Sequence, residues 1–275
     1  MADHSQLPFL IKLLDDESEG TQTALQTAFE KFKGDISDGV ASLAIDLSPE
    51  DRFKISALLH SGRRARLAQE WLVPSHLDDD WESFEHLLRI LCDFMHDGIA
   101  LRSSLSDNLD ILADDVERRI ASLTVNKLRK YLFEDSLFSG PKEDYYALYH
   151  SDLCYALETG KANPISLCMI FQLVAQRLNL EVTACNYPGH FLARVHFDNK
   201  AHLVDCYNQG RLIPVEELLI ENKTLSNEAK FAIHHPAPPR VILHRVLRNM
   251  EHAFHLQSKT EDVLLLQKLQ SSLVT

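Results

Sequence analysis

The sequence predicts an α+β fold in which helices dominate and one short antiparallel sheet forms part of a small core. Glycine (9) and proline (10) are scarce among the 275 residues, which favours long helices over many tight turns. Apolar residues recur at helical spacing along most of the chain, and only residues 181–206 contain short runs typical of strands. The length suits about two domains.

The first part of the chain, residues 1–75, is predicted to be helical. Two apolar stripes, at 7–14 and 25–32, lie on either side of an acidic break and predict a helix hairpin that resembles a single HEAT-type repeat. Ser48 and Pro49 are typical of a helix start, and we expect that helix to end near His60. The basic run Arg63–Arg66 that follows is interpreted as a solvated face.

A second segment, residues 76–235, is predicted to hold further helices and then the sheet. Apolar positions predict helices over 84–95, 105–120 and 128–137, until Gly140 and Pro141 end the pattern. Asn163 can cap a strongly apolar helix over 164–179, because Pro164 suits its first turn.

Three strands are predicted after that helix, at 181–185, 191–197 and 202–206. A two-residue turn at Asn199–Lys200 would place Asp205 opposite Arg194, four residues from His190, so a bulge near Gly189 would be needed to join His190 and Asp205.

The last segment, residues 236–275, is predicted to be a helical hairpin. A short helix over 214–220 and a proline-rich linker at 236–239 precede it. The two closing helices, 241–256 and 261–273, resemble the first half of a tetratricopeptide-type array.

Charge and composition exclude several function classes. Lys and Arg number 28 against 40 Asp and Glu, a net charge of −12, which argues against a nucleic-acid partner. We find no apolar run of about 20 residues and no signal peptide, so we expect a cytoplasmic protein with no membrane partner. Five cysteines without a CxxC pair predict reduced, mostly buried thiols, and we predict no metal and no cofactor.

After Pro164 come a helix, a strand that opens at His190 and a strand that carries Asp205. In papain-like and transglutaminase-like folds, elements in this order carry a nucleophile, a histidine and an aspartate. A helix start lowers the pKa of a thiol placed there and stabilises a developing oxyanion. His190, which follows the turn formed by Pro188 and Gly189, is the candidate base. Asp205, in the next predicted strand, is the candidate group that orients it, although pairing with Arg194 is the alternative.

Three motifs carry a family resemblance: N-P-I-S-L from Asn163, P-G-H-F-L from Pro188, and V-D-x-x-x-x-G around Asp205. In this order they resemble the SirB family (SirB-one type), a transglutaminase-like group, over about residues 80–257. The usual Gly-Asn and Arg-Gly pairs of that family are Gly140–Pro141 and Ala162–Asn163 here. The resemblance implies a papain-like core, and it places Ile165 or Ser166 where catalytic relatives hold a cysteine.

Two function classes therefore stay open. The favoured hypothesis is a non-catalytic module that binds a protein or peptide partner and keeps His190 and Asp205 as groove residues. The alternative is an acyl-transfer enzyme, a peptidase, amidase or transglutaminase, with Ser166 or Cys168 as nucleophile. These two side chains lie about 200° apart around a helix, so they cannot both face the same histidine. The oligomeric state is left open.

Overall fold

A computed structural model of the chain describes residues 3–222 and 224–274. It confirms the predicted fold class, with many helices and one four-stranded antiparallel sheet. The chain forms two compact units. The first comprises the described residues up to Leu72 together with Ile90–Ser103, and the second comprises Val73–Arg89 and the described residues from Ser104 onward.

The first unit is built from helices. They are α1 (Leu7–Lys12), α2 (Glu19–Glu30), α3 (Ser37–Ser42), α4 (Pro49–Glu70) and the part of α5 (Trp81–Met95) that begins at Ile90. The hairpin predicted over 7–32 is present as α1 and α2, and Phe29 and Leu59 are among the fully buried side chains of the core. The likeness to a HEAT-type repeat stays a prediction.

Helix α4 is longer than its sequence pattern predicts. Ser48 and Asp51 form a reciprocal capping box at its start, as the Ser-Pro signal indicates. The helix does not end near His60 but continues to Glu70, because Leu67 adds a buried apolar position beyond the polar stretch.

The interpretation of Arg63 as a solvated residue was wrong. Its side chain is buried, and its guanidinium donates hydrogen bonds to the carbonyl oxygens of Asp97 (2.7 Å) and Ser56 (3.2 Å). A buried guanidinium requires such partners, so Arg63 has a structural role within the first unit.

The second unit contains the remaining helices and the sheet. Its helices are the first part of α5, then α6 (Leu105–Arg119), α7 (Val125–Arg129), α8 (Leu153–Thr159), α9 (Pro164–Arg177), α10 (Val215–Glu221), α11 (Asn227–His234), α12 (Pro239–Leu256) and α13 (Thr260–Ser272). A π-helical turn, Lys130–Glu134, follows α7 directly. Within the described ranges, none of the helices has both the length and the apolar character needed to cross a bilayer.

The sheet has the order β1–β2–β3–β4, with every neighbour antiparallel. Its strands are β1 (Val182–Cys185), β2 (Leu192–Phe197), β3 (Lys200–Asp205) and β4 (Arg211–Pro214). The first three strands were predicted from the sequence, whereas β4, which has only four residues and leads directly into α10, was not.

The predicted register of the β2–β3 hairpin was wrong. Asp198 and Asn199 form the turn, both with positive φ (52° and 57°), and Phe197 pairs with Lys200. Such φ values at both central positions are typical of a type I′ turn, which Asp and Asn tolerate. The pairing partner of Arg194 is therefore Leu203, not Asp205, and Asp205 lies just past the Ala193–Val204 pair.

Helix α9 is the buried element that carries the sheet. It packs against β1 and β2, and its residues from Pro164 to Ala175 are all buried. The predicted cap is present, because the Asn163 side chain accepts a hydrogen bond from the backbone N–H of Ser166 (3.0 Å). The sheet and α9 together position the candidate site.

Candidate functional site

The structure brings His190 and Asp205 together. The Nε2 atom of His190 lies 2.8 Å from Oδ1 of Asp205. The imidazole is partly exposed, whereas the carboxylate is buried. When Nε2–H donates to the carboxylate, Nδ1 is the acceptor nitrogen of the neutral ring. No hydrogen bond joins this Nδ1 to any residue in the described ranges, so it is the ring atom available to a further group.

Asp205 is held by its own loop as well as by His190. Its carboxylate accepts hydrogen bonds from the backbone N–H of Asn208 (3.2 Å) and from the Asn208 amide (2.8 Å), and Arg211 lies 3.5 Å away. Burial raises the pKa of the Asp205 carboxyl, but the hydrogen bonds from His190 and Asn208 outweigh it and hold that pKa below its ordinary value. Asp205 is thus a buried anion.

The alternative of an Asp205–Arg194 pair is wrong. Arg194 donates instead to the carbonyl oxygen of His234 at 3.0 Å, on α11. The register of the β2–β3 hairpin explains the difference, since it moves Asp205 two residues closer to His190 than predicted.

The backbone before His190 forms a tight turn. The N–H of His190 donates to the carbonyl oxygen of Tyr187 (3.2 Å), and Gly189 between them has φ +78°. A Cβ added at Gly189 would meet no atom within 4 Å, so the positive φ and not crowding favours glycine here. This irregular entry to β2 directs the imidazole towards the end of β3.

Tyr207 forms one wall of the histidine site. Its ring lies edge-on to His190 with centroids 6.3 Å apart, and its hydroxyl donates to the carbonyl oxygen of Pro141 (2.8 Å). Gly140 packs so closely that a Cβ at this position would overlap the Tyr207 ring. Gly140 thereby leaves room for the Tyr207 ring, and the backbone of Pro141 accepts its hydroxyl.

The start of α9 is capped and buried. The Asn163 amide donates to Oγ of Ser151 (3.0 Å) while its carbonyl oxygen caps the helix. Ser166, in the first turn, is 2% exposed. No hydrogen bond joins Ser166 to His190 among the described residues.

Cys168 faces the sheet and not the histidine. Its side chain is fully buried, and Sγ donates to the carbonyl oxygen of Leu192 on β2 (3.4 Å). Burial raises the pKa of the Cys168 thiol well above its ordinary value, and the neighbouring Cys206 and Cys185 add to this. The thiolate, which is the reactive form, is therefore suppressed at neutral pH. None of the five cysteines forms a disulfide, and all are buried, as predicted.

A cleft of about 770 Å³ opens beside this site within the second unit. Asn163 from the α9 cap and Pro188 and Gly189 from the histidine turn all line it. The structure thus brings three predicted site-shaping residues to one surface, with Tyr145 and α12 opposite them. Ser166, Cys168, His190 and Asp205 are not among the side chains that line the cleft.

Several residues of the site were missed in the sequence. Asn208 follows Asp205 by three positions, a spacing at which an aspartate commonly accepts from the backbone ahead of it, and this signal was available. Ser151 and Arg245 gave no local signal, because they come from distant parts of the chain and meet the site only after folding. Tyr207 lies two residues after Asp205, but its contacts with His190 and Pro141 also form only on folding.

Comparison with known proteins decides the family. Residues 103–248, just over half of the chain, match the Transglutaminase-like superfamily. The chain belongs to this superfamily. The matched residues include α9, β1 to β4 and the His190–Asp205 pair.

The chain is also similar to several curated proteins. It is 33% identical over 153 residues to a UPF0162 protein of Xylella fastidiosa, covering 53% of this chain and 54% of that protein. It is 32% identical over 96 residues to a UPF0162 protein of Pseudomonas aeruginosa, covering 34% and 35%. F-box only protein 21 of Pongo abelii is 21% identical over 51% of this chain and 24% of its own length. The chain spans about half the length of the first of these relatives, and no solved structure matches it.

Proposed function

We propose that the protein is a non-catalytic transglutaminase-like module that binds a protein or peptide partner through the cleft beside His190. The observation that carries this proposal is the burial of both candidate nucleophiles, with Ser166 2% and Cys168 0% exposed. A nucleophile must reach both its base and the substrate. Neither the Ser166 nor the Cys168 side chain is hydrogen-bonded to His190 or Asp205.

The remaining features of the site suit binding. The His190 imidazole is fixed by a buried carboxylate, and this bond fixes the adjoining turn, whose Pro188 and Gly189 line the cleft. The cleft has the size of ordinary ligand sites, which are about 300–1,000 Å³. The motifs shared with the SirB family and the similarity to UPF0162 proteins support placing the chain in the SirB-one branch.

The His190–Asp205 hydrogen bond favours a second candidate, an acyl-transfer enzyme that uses Ser166. A histidine bonded to aspartate through one nitrogen is the base of many hydrolases. In this arrangement the Ser166 Oγ would have to rotate or move to the imidazole when substrate binds.

Labelling by a serine-directed acylating probe distinguishes the two functions. Purified protein is incubated with a rhodamine fluorophosphonate, and adducts are located by peptide mapping, with Ser166→Ala and His190→Ala as matched variants. We expect no adduct on Ser166, and equal rates of p-nitrophenyl acetate hydrolysis for all three proteins. Stoichiometric labelling of Ser166 that is lost in both variants would overturn the proposal and establish the enzyme.

A further inference from the structure

One wall of the cleft is a single face of α12. Residues three or four positions apart on this helix line it: Arg240, His244, Arg245, Arg248, Asn249 and His252. Such spacing places them along one side of the helix. Among the described side chains that line the cleft, Glu228 is the only carboxylate, so the wall is cationic in a chain whose net charge is −12.

Two cations of this wall, Arg245 and Arg248, differ from the ion-paired arginines of the second unit, which include Arg240 of the same wall, 3.6 Å from Asp78. Arg177, on α9, is 2.7 Å from Glu85 and 2.6 Å from Asp110. Arg245 instead donates to two neutral oxygens, Oδ1 of Asn186 (2.6 Å) and the carbonyl of Tyr187 (3.2 Å). In the described part of the chain, neither Arg245 nor Arg248 has a carboxylate within ion-pair distance, although Glu251, three positions further along α12, interacts with the charge of Arg248 at longer range.

Arg245 is half-buried and carries an unneutralised charge. Burial lowers the pKa of its guanidinium, and the neighbouring charge of Arg248 lowers it further. Like charges three positions apart on a helix repel each other. An anionic ligand in the cleft would offset this repulsion and give Arg245 a negatively charged partner in addition to its two neutral ones.

Arg245 also connects the cleft to the histidine turn. Its guanidinium lies 5.5 Å from the centre of the Phe191 ring and bonds to the residues just before Pro188. A group bound by Arg245 therefore lies beside the turn that carries His190.

The other lining residues suit a peptide better than a single small anion. Asn186 and Asn249 present amide side chains, which both donate to and accept from a peptide backbone. Tyr145 and Tyr146 stack edge-on, 4.9 Å apart, and offer apolar surface with polar tips. The volume of about 770 Å³ exceeds the space that one phosphate would fill.

We infer that the cleft binds an acidic peptide segment of a partner protein, with aspartate or glutamate carboxylates paired to Arg245 and Arg248. This inference rests on the proposed function and adds the chemical class of the partner. Arginine suits the role because its planar guanidinium bonds a carboxylate through two N–H groups.

Binding of charge-matched peptides tests the inference. Fluorescence anisotropy is measured with rhodamine-labelled hexaglutamate, hexaglutamine and hexalysine on the full chain. We expect hexaglutamate to bind at least about tenfold more tightly than hexaglutamine, with hexalysine weaker still. Arg248→Gln, at an exposed position, should weaken hexaglutamate binding several-fold, and Glu228→Gln should strengthen it.

The control is Arg118→Gln, which removes the same charge from an exposed position on α6. Equal weakening by Arg118→Gln and Arg248→Gln would show a non-specific charge effect and overturn the inference. Equal affinity for hexaglutamate and hexaglutamine would also overturn the inference. The proposed function as a peptide-binding module would then still stand, but without a preference for acidic peptides. Displacement of hexaglutamate by millimolar inorganic phosphate at constant ionic strength would assign the site to a small anion instead. Arg245→Gln is added only if its thermal unfolding matches the wild type.

Discussion

His190 and Asp205 meet because the β2–β3 hairpin turns at Asp198–Asn199. This turn brings the end of β3 next to the entry of β2, and the His190 Nε2 and Asp205 Oδ1 atoms then lie 2.8 Å apart. The contact joins a partly exposed imidazole to a buried carboxylate that Asn208 also holds. The stability of the protein should therefore depend on this carboxylate and on the turn that places it.

Replacing the carboxylate tests its contribution to stability. Asp205→Asn should lower the free energy of unfolding by about 1–3 kcal/mol at pH 7, since it leaves buried groups poorly paired. The folded-state pKa of Asp205 lies below its unfolded value of about 3.9, so its contribution is complete above that pH and is lost as the pH falls through the folded pKa.

Urea denaturation from pH 7 down to pH 3 measures this dependence. The difference in the free energy of unfolding between wild type and Asp205→Asn should become smaller as the pH falls below about 4. Asp198→Asn, at an exposed turn position, is the matched control and should change stability little at any pH. A difference that stays constant or grows towards pH 3 would contradict the assignment of Asp205 as a stabilising anion.

The hairpin turn can be tested by its conformational preference. Asn199 has φ 57°, a conformation that costs a β-branched residue about 1–2 kcal/mol. Asn199→Val should lower the unfolding midpoint in urea, whereas Asn199→Gly should not. If valine were tolerated as well as glycine, the turn would not lie where the structure places it.

Gly189 should tolerate some side chains and not others. Its φ of +78° strains most residues, but no atom lies within 4 Å of an added Cβ. Gly189→Val should therefore cost about 1–3 kcal/mol, and Gly189→Asn much less, because asparagine adopts positive φ more readily. Thermal unfolding of the two variants measures this. Equal melting temperatures would show that the turn does not require this conformation.

At Gly140 the volume of an added side chain, and not the backbone conformation, should determine the loss of stability. Even Gly140→Ala places a methyl group on the Tyr207 ring, so we expect a loss of about 1–3 kcal/mol from overpacking. A double-mutant cycle with Tyr207→Ala checks the mechanism by urea denaturation. The cost of Gly140→Ala should largely disappear in the Tyr207→Ala background, and a cost that persists there would place the clash elsewhere.

Local signals in the sequence predicted much of the fold. The Asn163–Pro164 pair specified the start of α9, and the Ser48–Pro49 pair specified that of α4, because capping depends only on neighbouring residues. The register of β2 and β3 could not be read in the same way. Both strands are buried along most of their length, so no alternation of polar and apolar faces fixed the pairing.

The candidate site was only partly predictable for a related reason. His190, Asp205 and Pro188 belong to short motifs, and the sequence order alone suggested that they act together. The cationic wall of α12 and the Tyr207 contact depend on tertiary packing, which no spacing in the sequence reveals. The likeness of the closing helices to a tetratricopeptide array, the three-part division of the chain and its cytoplasmic location stay predictions.

The reactivity of Cys168 tests the central claim, that the buried start of α9 supplies no working nucleophile. Pulsed alkylation with iodoacetamide is followed by peptide mapping across a urea series, for wild type and His190→Ala. We expect Cys168 to be modified only as each protein unfolds, along the urea transition measured separately for that protein, because its thiol is fully buried against Leu192. Rapid modification of Cys168 in the native protein, lost in His190→Ala, would contradict it.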